Sequence, residues 1–447
     1  MPSRTRDEWR ALGRDLRRRC PRSAHGAWSA ASDRLDPVAL LAESNRTRLA
    51  DLVSVRNERM SESPFTFFRG APAVMASDLG GTPSTGVQIQ ICGDAHLLNF
   101  GTYATPERNL VFDVNDFDET HLGPWEWDLR RLAASLVVAA RTAGVADRDG
   151  TQAVRGASSA YRSTMMLLAG LSPFEVWHAR VDADAIVARA PTKQTRADVE
   201  KILTKARQRT SLDALSKLTT VTDGRRVIVE DPPLVTRMPG DELDMAKRFA
   251  SAYRRTLDPD RRLLLDRYEF VDAARKVVGV GSVGTRCYVV LLAGSVDLDP
   301  LFLQIKEAQP SVLAPYVRGG RYYNQGLRVV AGQRIMQSAS DVFLGWGRVG
   351  GFDAYVRQLR DMKGSLPIGA LTRSALADYG RLCGATLAHA HARAGEPSLL
   401  AGYLGTGPVF DDALAVFAVA YADQNERDYE SFVRAVKSGR LDARPGG

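Results

Sequence analysis

The spacing of apolar residues changes along this chain, and each change predicts a different kind of element. Residues 1–60 place apolar side chains at helical spacing among charged ones, which predicts helices. Apolar runs at 87–92 and 110–114 predict two strands, and the segment between Asn99 and Leu110 is short enough to be a hairpin. Further apolar runs at 287–292 and 301–305 predict a second, antiparallel group of strands. The expected fold class is therefore α+β.

Polar side chains follow the first two predicted strands. The segment Gly-Asp-Ala-His-Leu-Leu-Asn at 93–99 carries Asp94 and Asn99, and Asp116 follows the second strand. Such residues are also common at turns and helix caps, because short polar side chains bond nearby backbone amides. Here a hairpin would bring both acids to neighbouring strand ends, where two carboxylates repel each other unless a cation is present. Magnesium, which binds carboxylate and phosphate oxygens, is the cation that this pattern indicates.

A glycine-rich segment occurs later in the chain. Gly279, Gly281 and Gly284, with Ser282 between them, lie between apolar runs. Glycine permits positive φ and close approach of the backbone to phosphate. Because the flanking runs predict strands on both sides, the pattern argues against a dinucleotide-binding fold, in which the loop leads into a helix; a tight hairpin with a bulge is the alternative.

A lysine ends the apolar run that follows the glycines. Lys306 occupies the place from which a strand lysine would reach nucleotide phosphates. Strand lysines also point to solvent at sheet edges, so both interpretations stand. In kinases a helix Glu pairs with this lysine, but no Glu occurs between Ala308 and Ser365. Gln333 and Asp341 are the candidate partners, and Gln333 is included in the predicted nucleotide site.

The segments at 93–99 and 115–118 resemble the catalytic and metal-binding segments of aminoglycoside phosphotransferases. Asp128-Leu129 resembles the Asp-Leu-Ala element that follows there, although an N-cap is the alternative role for Asp128. The resemblance implies a two-lobed protein-kinase-like fold, a helix-rich large lobe and a small antiparallel-sheet lobe. It implies that Asp94 is the catalytic base and that His96 supports the loop through hydrogen bonds.

The same resemblance implies the metal ligands. Asn99 and Asp116 would hold magnesium on the nucleotide phosphates. Spacing alone does not choose among Asp113, Asp116 and Asp118, and Asp118 is kept as the second candidate. The cofactors expected are thus ATP and Mg²⁺.

The order of these parts differs from that of a kinase, in which the glycine-rich loop and the lysine precede the catalytic loop. The predicted helix at 379–392 resembles one that directly precedes the catalytic loop in phosphotransferases. A circularly permuted fold accommodates both facts. The predicted regions are an N-terminal helical segment, the catalytic half of the large lobe with an insertion near 190–240, a small nucleotide-binding lobe, and C-terminal helices that complete the large lobe: 1–60, 61–270, 271–365 and 366–447.

Over nearly its whole length the chain also resembles a bacterial family catalogued as domain of unknown function twenty-two fifty-two, with signatures at 63–70 and 279–285. Within the first signature, Arg69 follows an aromatic run. It is interpreted either as a ligand for an acidic or aromatic substrate group or as the end of a buried strand. Arg357 and Lys363 lie where the lobes would join, and either meet nucleotide or substrate or form a solvated strand face.

Composition narrows the remaining choices. The chain has 447 residues, 45% hydrophobic and 25% charged, which is typical of a soluble protein with room for two lobes. No apolar stretch reaches the roughly eighteen residues of a membrane span, and the basic N-terminus lacks the apolar segment of a secretory signal. Four cysteines without paired spacing indicate neither a zinc site nor a disulfide framework, so a reducing cytoplasm is expected.

The net charge of +8 favours anionic ligands such as nucleotides. Because no nucleic-acid-binding motif accompanies it, nucleic acid is not an expected partner. The function expected is an ATP- and magnesium-dependent phosphotransferase acting on a hydroxyl acceptor that the sequence does not name. AMP transfer on the same fold, or a non-catalytic nucleotide-binding protein, are the alternatives.

Overall fold

A computed structural model of the chain describes residues 4–188, 193–294, 299–359, 362–364 and 368–441. The fold is α+β, as the periodicity predicts. The helices, in chain order, are α1 (Arg6–Arg19), α2 (Pro37–Asn45), α3 (Ala50–Ser61), α4 (Pro64–Gly70), α5 (Pro72–Gly80), α6 (Trp125–Thr142), α7 (Asp147–Leu168), α8 (Pro173–His178), α9 (Ala183–Ala188), α10 (Lys193–Arg207), α11 (Ser211–Leu218), α12 (Gly240–Arg254), α13 (Pro259–Leu265), α14 (Gln325–Met336), α15 (Arg373–Ala394), α16 (Pro397–Leu404) and α17 (Val409–Lys437).

The strands form one larger antiparallel sheet and three strand pairs within the described residues. They are β1 (Gln88–Ile91), β2 (Phe100–Ala104), β3 (Leu110–Val114), β4 (His121–Pro124), β5 (Thr219–Thr222), β6 (Arg225–Ile228), β7 (Val235–Arg237), β8 (Glu269–Lys276), β9 (Cys287–Ala293), β10 (Pro300–Glu307), β11 (Gly345–Val349) and β12 (Phe352–Gln358). The six-stranded sheet has the order β11-β12-β10-β9-β8-β7, and the pairs are β1-β4, β2-β3 and β5-β6.

The six-stranded sheet positions the second half of the predicted site. Its strand β8 leads through the glycine-rich segment into β9, which pairs antiparallel with β10 from Pro300↔Ala293 to Lys306↔Cys287. On its other side, β10 pairs with β12, so it is a central strand buried by its neighbours. This confirms the predicted strands on both sides of the glycine-rich loop and the strand that carries Lys306, whereas the turn predicted between β9 and β10 lies largely outside the described residues.

The pair β2-β3 positions the first half. Phe100 faces Val114 at one end of this hairpin and Ala104 faces Leu110 at the other. Asn99 directly precedes β2, and Asp116 follows β3 by two residues. The hairpin predicted between Asn99 and Leu110 is confirmed as part of the pair β2-β3, whereas the first predicted strand, β1, pairs with β4. The hairpin brings the two polar segments to the same end.

Helices α6, α7, α15 and α17 form the centre of the main apolar core together with the first strands. The closest approach is between α7 and α15, where a Cβ placed on Gly384 would lie 2.0 Å from the carbonyl oxygen of Ala157. A glycine at this position lets the two backbones touch. The helix predicted at 379–392 is confirmed as the greater part of α15.

One predicted element differs from the structure. The aromatic run before Arg69, which could have been a buried strand, is the helix α4. Ser63 and Thr66 form a capping box at its N-terminus, and Pro64 occupies the first turn, where a missing backbone N–H costs nothing. Three of its phenylalanines are buried, so the run is apolar because the helix is enclosed, not because it is a strand.

Among the described residues no single helix has the length and apolar composition needed to cross a membrane. Within the described ranges, one pair of helices, α16 and α17, meets that test when taken together, but the pair is bent by 83° at the break between them.

Candidate functional site

Asp94 is held by a buried arginine of helix α6. The guanidinium of Arg131 donates from Nε to Asp94 Oδ1 at 2.8 Å, and the Arg131 side chain is only 4% exposed. A second nitrogen of the same group donates to the carbonyl oxygen of Phe68 at 2.7 Å, and its carbon lies 3.8 Å from the centre of the Phe68 ring. The Asp94 carboxylate is therefore fixed at one oxygen, while the side chain remains 21% exposed.

Asp128 fixes the backbone directly before Asp94. Its two carboxylate oxygens accept hydrogen bonds from the backbone N–H groups of Cys92 and Gly93, at 2.8 and 2.9 Å. The ring of His391 in α15 lies 3.2 Å from the same carboxylate, and Tyr161 contacts the other ring nitrogen at 3.0 Å. Asp128 lies in the first turn of α6. Its carboxylate anchors the strand end and not the start of its own helix, so the N-cap alternative is wrong.

Asn99 links the two acidic segments. Its side-chain nitrogen donates to the backbone oxygens of Asp94 and Asp116, at 3.0 and 2.9 Å. These two bonds fix the orientation of the amide. Its oxygen, Oδ1, is buried and has no hydrogen-bond partner among the described residues. A buried amide oxygen without a donor normally costs free energy, so this atom is a candidate ligand for a cation.

His96 lies within the same loop. Its Nε2 is 3.8 Å from Asp94 Oδ2, which is too long for a hydrogen bond, and its Nδ1 is buried without a partner in the described part of the chain. Burial lowers the pKa of His96 to about 3, so the ring is neutral at physiological pH. The loop is instead supported by the backbone of His96, whose carbonyl oxygen accepts from the Asn99 N–H at 2.8 Å.

Lys306 meets the acidic segment from β10. Its Nζ lies 2.5 Å from Asp118 Oδ2 and 3.6 Å from Asp116 Oδ2, and its side chain is 2% exposed. Burial alone would lower the pKa of Lys306, but the charges of the two carboxylates outweigh this and raise it above its ordinary value. The lysine is therefore charged and paired, and the interpretation of a solvated edge lysine is wrong.

The partner of Lys306 is an acid on the loop and not a residue of α14. The predicted partners engage other groups: Gln333 donates its side-chain N–H to Gln337 at 2.9 Å, and Asp341 accepts from the backbone N–H of Phe343 at 2.8 Å. Asp118 is therefore the acidic partner of Lys306, in place of a helix Glu.

The three aspartates of this segment have distinct surroundings. Asp113 is buried and accepts from Ser338, so it is committed to the fold. Both oxygens of Asp118 are engaged, one by Lys306 and the other by the Tyr355 hydroxyl at 2.6 Å. The Asp116 side chain is 42% exposed and its Oδ2 lies 3.6 Å from Lys306. Of the three carboxylates, Asp116 is the most open to a further ligand.

Positive charges hold Asp116 ionised. Partial burial of the carboxylate opposes its ionisation, but the charges of Lys306 and Arg357 outweigh this and lower the pKa of Asp116 to about 2. Arg357 is not on a solvated face, since it donates to Gln304 Oε1 at 3.0 Å and to the Asn115 carbonyl at 3.1 Å. Burial, with repulsion from Arg357, lowers the pKa of Lys363 to about 7. An anionic ligand bound beside Asp116 would therefore lie near several positively charged side chains.

Magnesium fits this donor set in part. No group of three or more His, Cys, Asp or Glu side chains is placed to hold a metal ion in the described part of the chain. Asn99 Oδ1 and the Asp116 carboxylate are nevertheless two oxygen donors, one of them unsatisfied. Because Mg²⁺ takes one or two protein ligands and completes its shell with water and phosphate, this pair is compatible with a nucleotide-bound ion.

The glycine-rich loop lies over Asp118. Gly279 and Gly284 have φ values of +63° and +89°, which favour glycine, and the Ser282 hydroxyl donates to Asp118 Oδ2 at 3.1 Å. A Cβ on Gly281 would lie 3.3 Å from the carbonyl oxygen of Arg69. The loop thus connects the acidic segment to α4.

The N-terminal helices hold this loop from outside. Arg59 donates to the Gly279 carbonyl at 2.8 Å, and the Leu49 N–H donates to the Gly284 carbonyl at 2.7 Å. Val280 is buried among residues of α3, α4 and α17. The sequence reasoning assigned no role to these contacts.

Arg131 is the residue of the site that sequence reasoning missed. A signal was present: Glu126, Asp128, Arg130 and Arg131 are charged residues in a largely apolar helix, and all four are buried. Buried charges are rare unless they are paired, so a largely apolar helix carrying four of them indicates specific partners.

A protein-family model described as "Uncharacterized protein conserved in bacteria (DUF2252)" matches residues 48–435. No match was found among curated proteins or among solved structures.

Proposed function

We infer the function from the site, because the chain belongs to the DUF2252 family of uncharacterised bacterial proteins, whose description states no activity. We propose that it transfers the γ-phosphoryl group of ATP to a hydroxyl acceptor, with magnesium, on a circularly permuted kinase-like fold. One observation carries the proposal: Lys306 of β10 meets Asp118 at 2.5 Å, beside the segment that carries Asp94, Asn99 and Asp116.

The strand arrangement supports this proposal. In protein kinases a glycine-rich loop covers the phosphates and the lysine is on the third strand. Here the loop joins β8 to β9, and Lys306 is on β10, the next strand of the sheet. The acidic segment that meets this lysine precedes it in the chain by 188 positions, as a permuted order requires.

Each residue has a role in the proposed reaction. Asp94, oriented by Arg131, would accept the proton of the acceptor hydroxyl, whose oxygen bonds to the γ-phosphorus as the bond from that phosphorus to the bridging oxygen of ADP breaks. Asn99 and Asp116 would hold magnesium, which neutralises phosphate charge when bound. Lys306 would contact the phosphates, and the 279–285 loop would cover them.

Binding of the nucleotide tests the first half of the proposal. Isothermal titration calorimetry with Mg-ATP should show binding by the wild type, and Lys306→Met should weaken it about tenfold or more, since hydrogen bonds to charged groups are worth roughly 1.5–3 kcal/mol. Asp412→Asn, at an exposed ion pair with Arg155, is the control and should bind like the wild type. If the wild type does not bind Mg-ATP, the proposal is wrong.

Transfer tests the second half. Wild-type protein is incubated with γ-labelled ATP and a bacterial metabolite extract, and the modified product is identified by mass. Asp94→Asn should retain Mg-ATP affinity within about twofold and lose transfer by about a hundredfold or more, in line with general-base contributions. If the product carries AMP, the reaction is adenylyl transfer and the proposal of phosphoryl transfer is wrong. If Asp94→Asn transfers at the wild-type rate, Asp94 is not the catalytic base.

A further inference from the structure

Arg69 lies between the two halves of the proposed site. Its neighbour Phe68 contacts Arg131, both through its carbonyl oxygen and through its ring, and Arg131 holds Asp94. Its own carbonyl oxygen lies against Gly281 of the glycine-rich loop. Arg69 is thus placed at the junction of the predicted base and the loop expected to cover the phosphates.

The backbone of this arginine is firmly held. Its helix α4 is capped by Ser63, and the carbonyl oxygen of Gly70 accepts from the buried guanidinium of Arg56 at 2.7 Å. A Cβ on Gly70 would lie 2.6 Å from the sulfur of Met60, so α3 packs directly against the end of α4. The position of the Arg69 Cα is therefore set by the fold.

The Arg69 side chain, in contrast, has no partner in the described residues. Its Nε is buried without a hydrogen bond, and no ion pair forms with a described carboxylate. Its electrostatic neighbours are Asp94 and Asp116, whose charges oppose the lowering of its pKa by burial, with Arg131 repelling it. An unpaired and largely buried guanidinium is costly unless an anion completes it.

We propose that the Arg69 guanidinium binds the phosphoryl group during its transfer. This inference rests on the proposed function. The group that moves must pass between the magnesium ligand and the base, and Asp94 and Asp116 are the two acids whose charges act on Arg69. A planar guanidinium with several donors suits the charge that spreads over the three equatorial oxygens in transfer. It is supplied from α4, at the start of the predicted catalytic half of the large lobe.

The geometry distinguishes Arg69 from the arginines around it. Arg131 engages Asp94 and the Phe68 carbonyl, and Arg357 engages Gln304 and the Asn115 carbonyl. Arg48 donates to the Val283 carbonyl, and Arg59 to that of Gly279. Among these arginines, Arg69 is the one whose side chain makes no hydrogen bond with the described residues.

The experiment compares nucleotides that differ in the γ-phosphoryl group. Affinities for Mg-ATP, Mg-ADP and Mg-ADP with aluminium fluoride are measured by calorimetry for wild type, Arg69→Met and Arg69→Lys. Arg69→Met should bind Mg-ADP within about twofold of the wild type, but should lose about tenfold in affinity for Mg-ATP and more for the fluoride complex. Arg155→Met, which removes an exposed ion pair with Asp412, is the matched control and should bind all three nucleotides like the wild type.

The outcomes separate the two proposals. A wild type that binds none of the nucleotides contradicts the proposed function. A wild type that binds them, with Arg69→Met affecting ATP and ADP equally or not at all, overturns the role of Arg69 alone. Should Arg69→Met fail to fold by circular dichroism, Arg69→Lys decides: it should lose about threefold or more in affinity for the fluoride complex relative to Mg-ADP, because an ammonium does not reproduce the guanidinium fork. If Arg69→Lys leaves the ratio of the affinity for the fluoride complex to that for Mg-ADP unchanged, the proposed role of Arg69 is wrong.

Discussion

Replacing Asp128 by alanine should destabilise the chain strongly, because its carboxylate is the acceptor for two backbone N–H groups of the loop that carries Asp94. The Asp128 side chain is 1% exposed, and its bonds to the Cys92 and Gly93 N–H groups are 2.8 and 2.9 Å long. An orphaned donor costs about 1–3 kcal/mol, with the buried Cys92 group at the upper end and the partly buried Gly93 group at the lower. We therefore expect a loss of about 4 kcal/mol in the free energy of unfolding.

Urea denaturation followed by circular dichroism measures this loss. Asp128→Asn keeps one acceptor oxygen and should lose about half as much. Asp412→Ala removes a carboxylate that is 54% exposed and pairs with Arg155 at the surface, so it should lose less than about 1 kcal/mol. If Asp128→Ala lost no more than Asp412→Ala, the claim that Asp128 anchors the loop would be refuted.

Two further experiments test the packing of α7 against α15 and the burial of His25. Gly384→Ala should lower the free energy of unfolding, measured by urea denaturation, by about 3 kcal/mol or more, since its Cβ would lie 2.0 Å from the Ala157 carbonyl oxygen. Gly156→Ala on the facing helix, whose Cβ would lie 3.4 Å from the nearest side-chain atom, should be neutral or slightly stabilising. Equal losses for the two variants would contradict the close contact of α7 with α15 at Gly384. Burial lowers the pKa of His25 to about 3, so the unfolded chain takes up its proton first as pH falls below about 6.5 and the free energy of unfolding decreases. Between about pH 7.5 and pH 5 the wild type should therefore lose about 2 kcal/mol more than His25→Gln, and parallel pH profiles would show that His25 is not buried neutral.

Local patterns made much of the fold predictable. The apolar runs that became β1 and β3, the glycine-rich connection from β8 to β9, and the helix α15 are all patterns of residues close in sequence. The error at α4 was avoidable, because Ser63 with Pro64 and Thr66 is a readable start of a helix. The capping residues, and not the aromatic content of the run, decide the local conformation here.

Contacts between distant segments were not predictable in the same way. The pairing of Lys306 with Asp118 joins residues 188 positions apart, and that of Arg131 with Asp94 joins residues 37 apart. Both depend on how α6 and the six-stranded sheet dock on the hairpin, and periodicity carries no information about docking. The acid that pairs with Lys306 is Asp118, on a segment far away in the sequence, so the residues that follow Lys306 do not reveal it.

The position of that acid bears on how the proposed site would be controlled. In protein kinases the lysine pairs with a helix Glu, so displacement of the helix breaks the pair. Here Lys306 pairs with Asp118, whose backbone is held in turn by Arg328 of α14. Arg328 is 1% exposed. Its guanidinium donates to three backbone carbonyls, those of Asp118 and Gln309 at 2.8 Å and that of Thr120 at 2.5 Å. Moving α14 would therefore strip three hydrogen bonds from a buried guanidinium, a cost of several kcal/mol. Control by displacement of this helix is disfavoured, and regulation of this site would have to act instead on the glycine-rich loop or on the N-terminal helices that hold it.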